Sequence, residues 1–301
     1  MEEIIKILNE NYHICVDRLE LTRDMGSSAY TAYACNQRYF LRVLKPAFLD
    51  TAFIAVDIQV FLQEHGFPVP KIFFSRENRP YIQDENGIYV LYEYIEGGES
   101  NPEQDAEAIG ALVGKLHHIM KEYPRELVKR DKWFFIGRYI DILKKKQYPR
   151  VNEFLAYGET LWENVKDLPR GFCHGDMYNG NIHKTPDGRL FVLDFDTACE
   201  GFPMYDPTLI CDMTTYFDFD ERNYDRSNKV LSRFVPEYVK YNTLSQAEIN
   251  AFCYLIAIQH FATQATVMEI FGADCLDGKD LDDQLEWLYR WREQCDIGLI
   301  V

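Results

Sequence analysis

The residues best suited to chemistry gather in two stretches. One is Phe172-Cys173-His174-Gly175-Asp176-Met177-Tyr178-Asn179-Gly180-Asn181-Ile182, the other Phe191-Val192-Leu193-Asp194-Phe195-Asp196. Asp176 stands five residues before Asn181, and Asp194 closes a short apolar run. Pro186-Asp187-Gly188-Arg189 supplies the turn between them. Two loops at the ends of short strands would gather three polar side chains around one point. A carboxylate so placed can orient an attacking hydroxyl, and an amide with a second carboxylate can hold magnesium. The chemistry such a set suits is phosphoryl transfer.

Composition narrows the setting. A chain of 301 residues with 47% hydrophobic content is long enough for two lobes and apolar enough to bury a sizeable core. The net charge of −16 argues against a nucleic-acid partner, whose binding surfaces are basic. It is compatible with a cationic substrate and equally with a plain solubility role. The eight cysteines include no C-x-x-C pair, and the closest two, Cys199 and Cys211, are twelve apart, so neither a zinc site nor a disulfide framework is suggested. Scattered thiols fit a cytoplasmic protein. Met1-Glu2-Glu3-Ile4-Ile5-Lys6 lacks the basic start and apolar core of a signal peptide. The most apolar late run, 251–270, carries Gln259, His260, Gln264 and Glu269, which reads as a buried helix rather than a membrane span.

The elements that must position the chemistry begin with a short helix over residues 1–10. Strands follow at Leu19–Thr22, Tyr30–Cys35 and Tyr39–Leu44, the last two joined by an Asn36-Gln37 turn. Between the first two lies a small-residue loop, Gly26-Ser27-Ser28-Ala29. Its backbone N–H groups and hydroxyls could face a phosphate, or it could be an ordinary hairpin turn. Period-two alternation puts Phe40, Arg42 and Leu44 on one face of the third strand, and a cation there needs an anionic partner. Pro46 ends the strand, and Asp50 caps a helix over 51–64 that contains Asp57, either a partner for Arg42 or a solvated acid. Ile72–Ser75 and Ile88–Ile95 are expected as two further strands. Glu96-Gly97-Gly98-Glu99-Ser100-Asn101-Pro102 then breaks the pattern, dividing a strand-rich lobe, 1–96, from a mainly helical one, 97–301.

Helices are expected over 103–121, 133–146 and 151–167, then, past the two site loops, over 206–217, 245–271 and 279–294. His117 and His118 point about 100° apart on a helix, which suits a packed histidine better than a shared metal. Asp218-Phe219-Asp220 and Trp287 could hold a cation by charge and ring face, against the plainer reading of surface and core residues.

In this order the residues resemble the aminoglycoside phosphotransferase and choline kinase group, over roughly residues 19–217. The resemblance rests on the Ser/Gly loop, a cation on the third strand, then His174-Gly175-Asp176 with Asn181, and Asp194-Phe195-Asp196. It implies an α+β, protein-kinase-like fold of two lobes and an ATP- and Mg2+-dependent kinase acting on a hydroxyl of a small molecule. It implies further that Asp176 is the catalytic acid, that Asn181 and Asp194 hold magnesium, and that His174 braces the loop. Ser27 would lie over the nucleotide phosphates with Arg42 beneath, and the Tyr92–Ile95 linker, through Glu93 and Ile95, would meet the adenine. Asp206 would fix the catalytic loop from the next helix.

Three departures stand out. Arg42 occupies the position that is lysine in protein kinases, with Lys45 as a rival that alternation turns away. The usual glutamate of the first-lobe helix is missing, Asp57 being the nearest acid. Asp196 replaces the glycine after Phe195, which argues against a flexible activation switch. The alternatives are a protein kinase, disfavoured by the absence of an Ala-Pro-Glu segment, and a nucleotide-binding regulator, disfavoured by the intact Asp176, Asn181 and Asp194. The acceptor itself, whether aminoglycoside, choline, ethanolamine or homoserine, is not legible.

Overall fold

In the computed structural model, residues 1–25, 27–45, 49–216 and 218–296 are described. Two units emerge from the packing. The first is Met1–Ser100 with Asn179–Thr197, the second Asn101–Tyr178 with Ala198–Val301. The division expected after residue 96 therefore misplaces 179–197, which folds with the N-terminal unit.

The first unit opens with α1, Glu2–Asn11, and a meander of β1, Arg18–Met25, β2, Ser27–Ala34, and β3, Gln37–Leu44. After α2, Leu49–Glu64, come β4, Ile82–Asp84, and β5, Gly87–Glu93. The antiparallel sheet runs β1-β2-β3-β5-β4. Alternation along β3 sorts its side chains. Tyr39, Leu41 and Val43 pack with Leu8 of α1 and with Tyr12 just past it, while Phe40 and Leu44 pack with Ala52 and Val56 of α2. Arg42 lies on the α2 face, as its register predicts.

Several expected elements shift. The small-residue loop is shorter than expected, because Ser27 and Ser28 already pair with Met25 and Asp24 as β2. Gly26 and Pro46 lie outside the described residues, as does the side chain of Asp50, and α2 begins one residue before that expected cap. Ile72–Ser75 makes only a bridge, Ile72 to Tyr92, and a bond from Phe73 N–H to Leu91 O of 2.9 Å. Pro68 and Pro70 remove donors before it, and Ser75 N–H turns back to Arg79 O. The outer strand is instead β4, hairpinned to β5. Beyond β5, Gly98–Glu99, or β6, pairs with Ile182–Lys184, which pairs with Leu190–Val192. Gly97 permits this approach, since at φ +139 a Cβ there would sit 2.1 Å from Lys184 O.

The second unit is helical. Asn101 caps α3, Pro102–Ile119, by accepting the Glu103 N–H, with Pro102 as the first helical residue. Trp133–Gly137 is a π-helical turn leading into α4, Arg138–Lys145, where one continuous helix was expected. Then come α5, Val151–Val165, and α6, Tyr205–Cys211. The helix expected to reach residue 217 stops at Cys211, with Asp212 extended. The helix α7, Arg222–Tyr238, has no counterpart in the sequence reading. Its polar surface and Pro236 hide the buried stripe of Val230, Leu231, Phe234 and Tyr238. The run expected over 245–271 splits at Ala251 into α8, Gln246–Asn250, and α9, Phe252–Phe271, and α10 is Gly278–Gln294. Tyr139, Phe154 and Phe261 pack edge to face at the centre, joining α4, α5 and α9. Among the described residues no helix is long and apolar enough to cross a membrane.

The backbones of α3 and α7 nearly touch. A Cβ on Gly110 would lie 2.4 Å from Phe234 O, and Arg226–Glu103 and Arg233–Glu107 ion pairs flank the seam. Gly110→Ala is therefore expected to lower unfolding free energy by about 1–3 kcal/mol despite its better helix propensity. Urea titration checks this, and an unchanged or raised midpoint would show that the helices can part at no cost.

Candidate functional site

Asp206, in the first turn of α6, is 0% exposed. A buried carboxylate must be met by donors, and three converge on it. His174 N–H donates at 2.6 Å and Gly175 N–H at 2.9 Å, and His117 Nε2 lies at 3.0 Å. The other His117 nitrogen lies 2.8 Å from the Tyr238 hydroxyl on α7. Burial opposes the charge on Asp206. The His117 bond, the nearby histidines and the Gly175 N–H outweigh it and hold the carboxyl below its ordinary range. The loop that follows strand Gly171–Cys173 is thus pinned at two successive amides, with Gly175 at φ +81. Asp176 N–H donates to His174 Nδ1 at 3.4 Å, and Arg130 Nη1 to Gly175 O at 3.4 Å. His174 and Asp206 thereby occupy the bracing positions expected of them. His117 is packed, as expected, but its bond to Asp206 spans 89 residues and had no sequence signal.

In the first unit, Arg42 gathers the other candidates. Its Nη2 lies 2.6 Å from Asp196 Oδ2 and 3.4 Å from Ser27 Oγ. Its Nη1 lies 3.3 Å from Asp194 Oδ1 and from Asp196 Oδ1. Burial would weaken the charge on Arg42, yet Asp194 and Asp196 reverse that and raise its pKa above the ordinary value. Asp57 is half-buried in α2, and the two carboxylates on Arg42 come from the Asp194-Phe195-Asp196 stretch. Lys45, the rival cation, reaches outward to Asp24 at 3.5 Å.

Asn181 and Asp194 are held close by one short ladder. Ile182 pairs with Val192, and Leu193 N–H donates to Asn181 O at 2.9 Å. Asn181 is buried, and Asp194 adopts φ +57, a left-handed conformation that a non-glycine residue holds at some cost. Two carboxylates beside a single guanidinium form a hard, net-negative oxygen set, and Asn181, an amide-bearing residue, follows on the same ladder; residues of these types fit a divalent cation such as magnesium. Glu93 pairs with Tyr39 at the end of β5, whereas Arg42 faces Val90, so Glu93 lies roughly 10 Å along the sheet from Arg42, and Ile95 follows two residues past the strand. Ser27, Arg42, Asp194 and Asp196 are thus brought together, and Asn181 joins them through the ladder. Asp176 belongs to the second unit.

Known proteins bear on these residues. The model of the phosphotransferase enzyme family matches residues 20–240. A homoserine kinase of Zymomonas mobilis subsp. mobilis is 25% identical over 156 residues, 48% of this chain and 48% of that one. The chain thus spans about half the length of this curated relative. Among solved structures, a microcompartment-associated aminopropanol kinase superposes with a TM-score of 0.75 at 15% identity, covering 100% of this chain and 99% of that one. An amicoumacin kinase in complex with AMP-PNP, Ca2+ and Ami gives 0.72 at 17% identity, covering 97% and 93%. The fold is the protein-kinase-like, α+β one that the sequence implied.

Asp206→Ala should lower unfolding free energy by about 3–5 kcal/mol, because it strands two buried amides and His117. Chemical denaturation measures this, and a loss below about 1 kcal/mol would mean the loop is held by other contacts.

Proposed function

The chain belongs to the phosphotransferase enzyme family, and from that premise we propose that it is a kinase moving the terminal phosphoryl group of ATP onto a hydroxyl of a small molecule. The observation that carries this reading is Arg42, an interior cation forked onto Asp196 and reaching Asp194 and Ser27. A buried positive charge beside hard oxygen ligands is what a metal–polyphosphate group requires. Asn181 and Asp194 would hold magnesium, which when bound offsets phosphate charge. Ser27 and the β1–β2 hairpin would cover the phosphates, and the backbone at Glu93 and Ile95 would meet the adenine.

Asp176 supplies the remaining function. It takes up or orients the hydroxyl proton as the acceptor oxygen bonds to phosphorus and the bond to the leaving ADP oxygen breaks. The Asp206-braced loop fixes where that carboxylate stands. A small acceptor is supported by relatives named as kinases of homoserine, aminopropanol and amicoumacin.

Two variants test the assignment. Asp176→Asn should cut turnover by about 10²–10⁴-fold with ATP affinity little changed, and a fully active variant would remove Asp176 from the chemistry. Asp194→Ala should abolish the magnesium dependence of nucleotide binding, read by titration calorimetry with and without the metal. Identical titrations for variant and parent would refute its role as a ligand.

A further inference from the structure

We infer that Cys253 and Cys295 form a reversible redox-modification site, at which a hydroperoxide oxidises Cys253 and Cys295 then closes a disulfide that staples the start of α9 to the end of α10. The inference is independent of the kinase reading. Cys253 is the second residue of α9, and Cys295 caps the end of α10. The two helices run antiparallel in a register that brings these ends together. The His260 and Trp287 ring centroids lie 3.7 Å apart. From there Cys253 is about 10 Å back along α9 and Cys295 about 12 Å onward along α10, so both reach the same end of the pair. Trp291 Nε1 donates to Cys253 O at 3.0 Å, and Cys295 N–H donates to Trp291 O at 3.0 Å. The two thiols share a hydrogen bond, and Tyr157, Tyr224 and Tyr254 sense both sulfurs.

The surroundings divide the roles. Both residues are partly exposed, so a small oxidant reaches them. Cys173 and Cys199 also face each other, across the short ladder that leads into the Asp176 loop, but they are only 1% and 2% exposed. A sulfur reacts with peroxide as its thiolate. The Cys295 thiol bonds to the Cys253 sulfur, the backbone N–H groups of Tyr254 and Cys253 add to it, and together they outweigh burial and hold the Cys253 thiol below its ordinary range. The same contact, together with burial, keeps Cys295 protonated. Asn250 O, 3.7 Å from Cys253 Sγ, is a long and weak competitor for the Cys253 proton. Cys253 is thus the nucleophile and Cys295 the resolving thiol.

Two steps complete the change. The Cys253 thiolate attacks one peroxide oxygen, an S–O bond forms, the O–O bond breaks, and the leaving hydroxide takes a solvent proton to become water. Cys253 is then a sulfenic acid, oxidised by two electrons as the peroxide is reduced. The Cys295 sulfur attacks that sulfur, the S–S bond forms, the S–O bond breaks, and the hydroxide departs as water with the Cys295 proton. In sum, two thiols and one hydrogen peroxide give a disulfide and two waters, and thiol–disulfide exchange with a dithiol reverses it. The bond closes the chain around all of α9 and α10, which restricts the unfolded state.

The test treats the folded full chain with hydrogen peroxide, alkylates the remaining thiols, and maps linked peptides by mass spectrometry. The expected product is a Cys253–Cys295 linkage, about 2 Da lighter than the two reduced thiols, that dithiothreitol reverses. Cys295→Ser should accumulate a dimedone-reactive sulfenic acid at Cys253, and Cys253→Ser should react with peroxide at Cys295 at least about 10-fold more slowly. The oxidised parent should melt about 3–10 °C above the reduced one, with no such difference in either variant. Mapping on the parent needs no substitution, so it decides the linkage even where a variant disturbs the fold. Oxidation confined to the exposed Cys15, Cys35 and Cys275, or a linkage at Cys173–Cys199 instead, would overturn the site. A sulfenic acid that forms as fast at Cys295 as at Cys253 would overturn the division of roles, and an unchanged or lowered Tm would overturn the staple.

Discussion

A carboxylate removed from water is costly until donors surround it, and Asp206 imposes that requirement on the second unit. Two of its donors are amides of successive loop residues, so the loop must curl with both N–H groups facing one point, which Gly175 permits. The third is His117 of α3, itself tied to Tyr238 of α7. One side chain thus connects α3, α6, α7 and the loop bearing Asp176. The bare glycine face of α3 is part of the same construction, because it lets the α3 and α7 backbones close up where His117 meets Tyr238.

The first unit solves the converse problem, a cation placed inside. Arg42 is 14% exposed in its side chain and answers to two acids. The planar fork lets one guanidinium grip Asp196 at two points while still reaching Asp194 and Ser27, which a single ammonium could not do with the same geometry. One positive and two negative charges leave the cluster negative, suited to a metal that itself carries phosphate. Asp196, where a flexible glycine might have stood, is therefore committed to holding Arg42.

Local patterns proved readable where one element decided the outcome. Period two turned Arg42 inward with Phe40 and Leu44, and the spacing from Asp176 to Asn181 and Asp194 marked two loops joined by a hairpin. Features set by distant partners did not show. No local signal links His117 to Asp206, or brings 179–197 back to the N-terminal unit through β6. The helix α7 is polar over most of its surface and was overlooked because α3, not its own composition, justifies its buried stripe. The strand expected at Ile72–Ser75 stopped short because Ile72 N–H goes to the Gln63 side chain and Ser75 N–H turns back to Arg79 O, leaving Phe73 N–H alone to bond β5. The outer strand β4 is instead reached through Glu85-Asn86, and Asn86-Gly87 is the hairpin signal that could have marked it.

Asp206 and Asp212 make the sharpest comparison in the molecule, because the same side chain stands at the two ends of one short helix. Asp206 is fully buried and Asp212 partly so, and burial pushes both toward the neutral form. Three donors, one of them an imidazole, reverse that push at Asp206 and keep it below its ordinary range. At Asp212 the Thr214 contacts are too few, and the carboxyl is pushed up to about 6. Near neutral pH such a group is substantially ionised at a net cost to folding, since its folded pKa exceeds its unfolded one and the penalty grows as pH rises through that interval. Thr214 Oγ1 and Tyr216 Oη, buried nearby without a well-formed hydrogen bond, add to the cost rather than relieve it. One short helix thus carries a carboxyl held ionised by three donors at one end and a carboxyl held toward neutrality by burial at the other.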